Sequence, residues 1–171
     1  MAVAQLAQLR RCSLDDPADS PEIWGLTLGE LPNDLVGRGD QPSRGESAVH
    51  ASIVLFALHQ QSQAKPMHRS GVGFGQAVRV LAQARGGEKG PDKSTIQRFQ
   101  QVGLASTSAG RNTQLRSLVS LFRTDEIPLD YGLLAADLYR LSDPLQATSV
   151  LLQWGRDLHS NPKSAQSGEE E

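Results

Sequence analysis

The sequence predicts an all-α protein, a compact bundle of about seven to eight helices forming one body or two small lobes. Three observations carry that expectation. Apolar residues recur at three- and four-residue spacing almost from end to end. The alternating Val/Ile/Thr/aromatic pattern of strands is nearly absent. Residues that start and stop helices punctuate the chain at regular intervals. With 171 residues, 38% of them hydrophobic and 21% charged, the chain has the composition of a protein that folds around its own core.

Leu6 and Leu9 mark a short first helix that begins close to Met1. Ser20-Pro21-Glu22 reads as an N-cap, a first-turn proline and an acid at the positive helix end, opening a helix that stops before Pro32. Leu35 to Gly45, with three glycines and Pro42, is a loop. Glu46 to about Ala64 is the expected core helix, with Val49, Ile53, Phe56, Ala57 and Gln60 on one broad stripe and Pro66 just beyond its end. A break over Arg69 to Gly73, read as a flexible entry, leads into a helix from about Phe74 to Ala84 that Gly86-Gly87 ends.

Gly86 to Pro91 forms a basic turn, and Asp92 caps a helix through Ile96 and Phe99 to about Val102. The next helix, about Asn112 to Arg123, turns Leu115, Leu118, Val119 and Phe122 inward. Asp130 caps a helix through Leu133, Leu134 and Leu138, and Asp143-Pro144 opens a long last one through Val150, Leu151 and Trp154. Residues 1–160 form the expected body. The polar stretch 161–171, ending in three glutamates, is expected to be a disordered acidic tail.

Several classes of function find no support. No apolar run reaches the length needed to span a bilayer, and the first residues lack the pattern of a signal peptide, so the expected location is cytoplasmic. The one cysteine, Cys12, rules out an internal disulfide. Gly71-Val72-Gly73-Phe74-Gly75 follows no strand and precedes no Lys-Ser/Thr, so it fails as a phosphate-cradling loop. His50, His59 and His68 are nine residues apart, which places consecutive histidines on opposite helix faces and speaks against a metal site. Carboxylates are not clustered beside His or Lys, and no serine sits in a nucleophile elbow. Neither a cofactor nor catalysis is expected.

The informative feature is charge segregation under a net charge of only −2. Cys12 to Gln63 holds eight acids against two bases, Arg38 and Arg44. Lys65 to Arg123 holds ten bases against Glu88 and Asp92, a surplus of eight, and Thr124 to Glu171 holds nine acids against three bases. Ten cations in one block repel one another unless spread over the surface or matched to a polyanion, which points to nucleic acid. The competing reading is a solvated face balanced by the acidic flanks. Seven of the ten are arginines, whose planar fork grips phosphate oxygens in pairs. The candidate contacts are Lys65, Arg69, Arg79, Lys89, Lys93, Arg98, Arg111, Arg116 and Arg123, with His68 beside Arg69 and the early pair Arg10 and Arg11. Phe74, Phe99 and Phe122 fit core positions, so contact is expected to phosphates, which position a strand without reading it.

Gly71-Val72-Gly73-Phe74-Gly75-Gln76-Ala77-Val78 resembles the Gly-apolar-x-apolar-Gly-x-Ala-apolar signature of the CasB family. Leu9-Arg10-Arg11, Arg98-Phe99 and Gln114-Leu115-Arg116 resemble other segments of that family in the same order. Ile127-Pro128-Leu129-Asp130-Tyr131, with Leu134, Asp137-Leu138 and Trp154, is similar to its closing two helices. The resemblance, which covers about Leu6 to His159, implies a small subunit of the type I-E CRISPR Cascade complex. Such a subunit is present as a pair beside other Cascade subunits, and it helps hold the guide RNA–target DNA hybrid and the displaced strand without cutting. Gln76 departs from relatives that carry Arg there, with Arg79 three residues on, and the first helix is shorter than the resemblance implies, an expectation of a truncated N-terminus. Two other readings stand beside it. One is a helix-turn-helix regulator built on the Asp92 to Arg123 helices, although Asn112, Gln114 and Arg116 are too scattered for a base-reading row. The other is a helical adaptor whose basic patch meets an acidic protein.

Overall fold

A computed structural model of the chain describes residues 3–160; the expected acidic tail lies outside the described residues. Among them are eight α-helices: α1 (Val3–Leu9), α2 (Trp24–Thr27), α3 (Arg44–His59), α4 (Phe74–Gly86), α5 (Lys93–Leu104), α6 (Ser108–Thr124), α7 (Tyr131–Leu141) and α8 (Pro144–His159). The all-helical class stands. The described extended backbone pairs only in one parallel bridge, His68 with Leu129. Helix α3 packs against α1, α6 and α7, while α4 packs against α5, α6 and α8. Buried apolar residues from Leu9 to Leu158 form one contiguous cluster.

At its centre the Phe74 ring lies 4.6 Å from the Trp154 ring and 6.0 Å from Phe122. This packing requires a glycine. A Cβ on Gly75 would fall 2.3 Å from the Trp154 carbonyl oxygen, so only a bare backbone lets α4 and α8 approach so closely. The apolar stripes of α4, α5, α7 and α8 all turn toward this cluster.

Asp92, Asp130 and Asp143 cap α5, α7 and α8 through their carboxylates. Other boundaries differ from those read in the sequence. Ser20 makes no side-chain cap, and the expected helix to Pro32 shrinks to a one-turn 3-10 helix, Pro21–Ile23, and the single turn of α2. The Trp24 indole N–H turns back to the Pro17 carbonyl at 2.7 Å, and Gly25 and Gly29 weaken helix propagation there. Helix α3 starts two residues before Glu46 because Ser43 and Glu46 form a reciprocal capping box. It stops at His59 rather than near Ala64 because the Gln60 side chain satisfies the turn that follows. Gln60 Nε2 donates to the Lys65 carbonyl at 2.9 Å, and its Oε1 accepts from the Met67 N–H at 2.9 Å. Helix α6 starts at Ser108, earlier than Asn112, because Thr107 caps the Gly110 N–H at 3.1 Å.

The expected stripe on α3 is also shifted. Val54, Leu55, Ala57 and Leu58 are buried, whereas Val49, Ile53 and Phe56 are half-buried and line a groove against α7. The supposedly flexible entry to α4 is pinned. The Gly71 N–H, at φ +81°, donates to Asp130 Oδ2 at 2.7 Å, and the Asp130 N–H donates to the Val72 carbonyl at 2.8 Å.

Candidate nucleic-acid interface

Helices α4, α5 and α6 contain no carboxylate within their spans. Two of the acids nearby are committed elsewhere. Asp92 accepts from the Thr95 hydroxyl at 2.7 Å and the Thr95 N–H at 2.8 Å, and these bonds hold its carboxyl below the usual range. Asp125, just past α6, takes both oxygens to Arg85 at 2.7 and 2.9 Å. Among the described residues, Arg69, Arg79, Lys93, Arg98, Arg111, Arg116 and Arg123 have no carboxylate within ion-pair distance.

The outward side of α6 carries Thr113, Ser117, Ser120 and Thr124. The hydroxyls of Thr113, Ser120 and Thr124 donate back to carbonyls four residues earlier, so they lie flat along the helix. Arg98 reaches this surface from α5, its Nη1 donating to Ser117 Oγ at 3.0 Å. Arg116 is exposed, and among the described residues its guanidinium has no hydrogen bond or ion pair. A strip of small hydroxyl side chains flanked by arginines can receive a phosphate backbone at close range.

Arg123 lies seven residues beyond Arg116 and is nearly aligned with it, but it is half-buried and donates to Gln61 Oε1 at 2.7 Å. Lys65 sits at the same end of α6, 3.7 Å from Glu126 Oε2. His68 and Arg69 are exposed on the segment that pairs with Leu129, and His68 Nδ1 accepts from the Tyr131 N–H at 3.2 Å. Lys93 is the first residue of α5 and exposed, and Lys89 lies in the one-turn 3-10 helix Gly87–Lys89. Arg10, half-buried, and Arg11, exposed, follow α1.

Two candidates turn away from this strip. Arg79 is engaged with the end of α8, donating to the Ser160 carbonyl at 2.7 Å and to the Ser160 hydroxyl. Arg111 is half-buried and donates to the Ala105 carbonyl at 3.2 Å. It shares a cavity of about 190 Å³ with Arg44 and Ser108, residues that the sequence did not single out. Nothing in the sequence marks them, because the cavity joins segments far apart in the chain.

His50 and His59 are buried. His50 Nε2 pairs with the Ser13 carbonyl and His59 Nδ1 with the Tyr131 hydroxyl, each at 2.8 Å. Burial, with help from Arg123, pushes His59 down to about 4 although backbone hydrogen bonding opposes it, so the ring is neutral near pH 7. Among the described residues no three His, Cys, Asp or Glu side chains gather as a metal site, and no helix is long and apolar enough to cross a membrane.

The sequence matches the family model of CRISPR-associated protein Cse2 over residues 5–159. The chain belongs to the Cse2 family. CasB from Thermobifida fusca, known from a crystal structure, aligns with this Cse2 chain at a TM-score of 0.73 and 36% sequence identity, covering 92% of this chain and 85% of that one. No curated protein sequence matches it. In this Cse2 chain the glycine-rich segment is an architectural device: Gly71 reaches Asp130 and Gly75 admits α8. Gln76, the departure noted above, is half-buried on α4.

Proposed function

We propose that this Cse2 chain is a non-catalytic small subunit of a type I-E CRISPR Cascade ribonucleoprotein in the cytoplasm. It holds nucleic-acid backbone without sequence preference, beside other Cascade subunits and a second copy of itself. The observation that carries the reading is that α5 and α6 hold no carboxylate in their spans, while Arg98, Arg116 and Lys93 face solvent over a low strip of hydroxyl residues. Base pairing between guide and target supplies sequence information in such an assembly, and the protein supplies charge and shape. Lys65, His68, Arg69 and Arg123 extend the surface at one end of α6; Lys89, Arg10 and Arg11 remain further contributors. The side chains of α6 weigh against a helix-turn-helix regulator, since the hydroxyls on its outer side are turned to their own backbone and not to a row of base edges.

The test is a salt titration of binding to unrelated single- and double-stranded oligonucleotides. Affinity falls linearly on a log–log plot, by about 0.7 to 0.9 units of slope per phosphate contacted, and varies little with sequence. A flat salt response, or strong preference for one duplex, refutes the reading. Labelled strands incubated with the protein and Mg²⁺ or Mn²⁺ stay intact; cleavage that co-purifies with the chain refutes the non-catalytic role.

A further inference from the structure

Helix α8 carries the chain to the edge of the cationic surface. A Cβ on Gly103 of α5 would fall 3.4 Å from Leu151 Cδ2 of α8, and the Phe99 ring lies 6.3 Å from the Trp154 ring. Earlier residues of α5 thus face later residues of α8, so α8 ends toward the first turn of α5. A second set of contacts fixes the exit. Arg79 of α4 donates to the Ser160 carbonyl at 2.7 Å and to its hydroxyl. Three residues further along α4, the Ala82 carbonyl accepts the Asp92 N–H at 2.8 Å, directly before Lys93. Ser160 is therefore held by a residue about one turn of α4 from the one that anchors the start of α5.

Residues 161–171 contain one base, Lys163, and three acids, Glu169, Glu170 and Glu171, at the far end. Nine residues lead from Ser160 to Glu169, enough chain to cover at most about 30 Å, whereas the 12 residues of α5 span about 18 Å. The glutamates can reach Lys93, Arg98 and Arg116, all three exposed and without a carboxylate within ion-pair distance. Of the two acids just before α5, Asp92 is committed to Thr95 and only Glu88 is left to oppose these cations.

We propose that Glu169, Glu170 and Glu171 dock on the cationic surface of α5 and α6, where their carboxylates stand in for the phosphates of a nucleic acid. Opposite charge selects the occupant, and the tether makes it effective: attachment nearby gives the acidic run a local concentration in about the millimolar range. Contacts too weak to hold a free peptide then hold this one. A long polyanion displaces the glutamates because it offers more anionic groups than three, while a short one does not. This competition rests on the proposed nucleic-acid contact; the docking does not.

The full chain is compared by NMR with the variant Glu169→Gln, Glu170→Gln, Glu171→Gln. Backbone amides of Lys93, Arg98 and Arg116 differ between the two at about 0.01 M salt and coincide at about 1 M, where the screening length has fallen from about 30 to about 3 Å. Differences confined to residues 161–171, centred on cations outside α5 and α6, or unchanged by salt overturn the docking. The variant also binds a single-stranded oligonucleotide about threefold more tightly at low salt, the gain expected if the glutamates cover the surface about two-thirds of the time. Glu22→Gln, Glu30→Gln and Asp34→Asn remove the same charge from exposed positions before α3. An equal gain in that control shows that net charge alone is responsible and overturns the competition, as does the absence of any gain. If neither chain binds oligonucleotide while the spectral differences remain, the nucleic-acid reading fails and the docking stands.

Discussion

Between α3 and α7, most polar groups are buried and matched: Ser52 Oγ donates to the Tyr131 carbonyl at 2.6 Å, His59 Nδ1 meets the Tyr131 hydroxyl at 2.8 Å while its Nε2 has no hydrogen-bond partner, and Asp130 collects three backbone N–H groups. Along α5 and α6 they are exposed and left over: Lys93, Arg98 and Arg116 face water with no carboxylate in either helix. In the seam, a polar group left without a partner within the chain costs about 1–3 kcal/mol of desolvation. On the face, solvent already satisfies the charges, so they cost little and remain free for an external polyanion. Stability is therefore concentrated in the seam, and the face is left for the proposed nucleic-acid contact.

Breaking the seam has the largest expected effect. Burial alone would raise Asp130, but the N–H groups of Gly71, Leu133 and Gly132, with His68 nearby, outweigh it and hold the carboxyl below the usual range. Asp130→Ala removes the α7 cap and frees the Gly71 loop, and it lowers stability by about 3 kcal/mol in urea unfolding. Because the folded value is depressed, the Asp130 contribution is present above the ordinary carboxylate value and disappears as pH falls through the folded one. A loss under about 1 kcal/mol would show that water replaces these bonds.

The histidine of the seam gives the next effect. His59 is lowered from 6.5 to about 4 in the fold, so the folded state binds its proton later than the unfolded one. Stability is complete above the unfolded value and falls as pH drops from about 6.5 toward 4, with a slope approaching 1.4 kcal/mol per pH unit. His50, also lowered by burial, adds in the same direction. His59→Gln keeps a partner for Tyr131 and loses most of the slope, as unfolding curves across that range can check.

The face responds in the opposite way. Arg98→Ala with Arg116→Ala changes stability by less than about 0.5 kcal/mol, since neither guanidinium packs in the core. The same double change flattens the salt slope of oligonucleotide binding by about one unit per lost contact, alike for all sequences. Intact binding with intact helical circular dichroism moves the contact to Lys65, His68 and Arg69.

This division also explains what was legible beforehand. Helix periodicity and charge segregation are local properties, so the all-helical class, the aspartate caps and the basic block could be read directly from the sequence. The seam is not local. Gly71 looks like a flexible entry until Asp130, far along the chain, is seen to hold it, and Gln60 looks helical until its side chain is seen to cap the next turn. Arg111 and Arg116, five residues apart, look equivalent in sequence; the fold exposes one and tucks the other beside Arg44.

The smallest effect lies where seam and face meet, at the end of α6. The Ile127 N–H donates to the Phe122 carbonyl at 2.9 Å and the Glu126 N–H to the Arg123 carbonyl at 3.4 Å, which is a Schellman ending with Ile127 buried behind it. That ending needs a left-handed residue, and Glu126 supplies it at φ 54° where glycine is favoured. Glu126→Gly relieves the backbone and raises stability by about 0.5–1 kcal/mol. It also gives up the 3.7 Å contact with Lys65, but both side chains are mostly exposed, and such pairs contribute at most a few tenths of a kcal/mol. The backbone gain therefore wins. Glu126→Ala separates the two effects, since it loses the same ion pair without gaining a residue suited to the left-handed conformation. Freed Lys65 then joins the cationic face, so both variants bind oligonucleotides with a slightly steeper salt slope while only the glycine variant melts later. Equal melting of the two would show that Glu126 stores no strain and that the α6 ending is held by Ile127 alone.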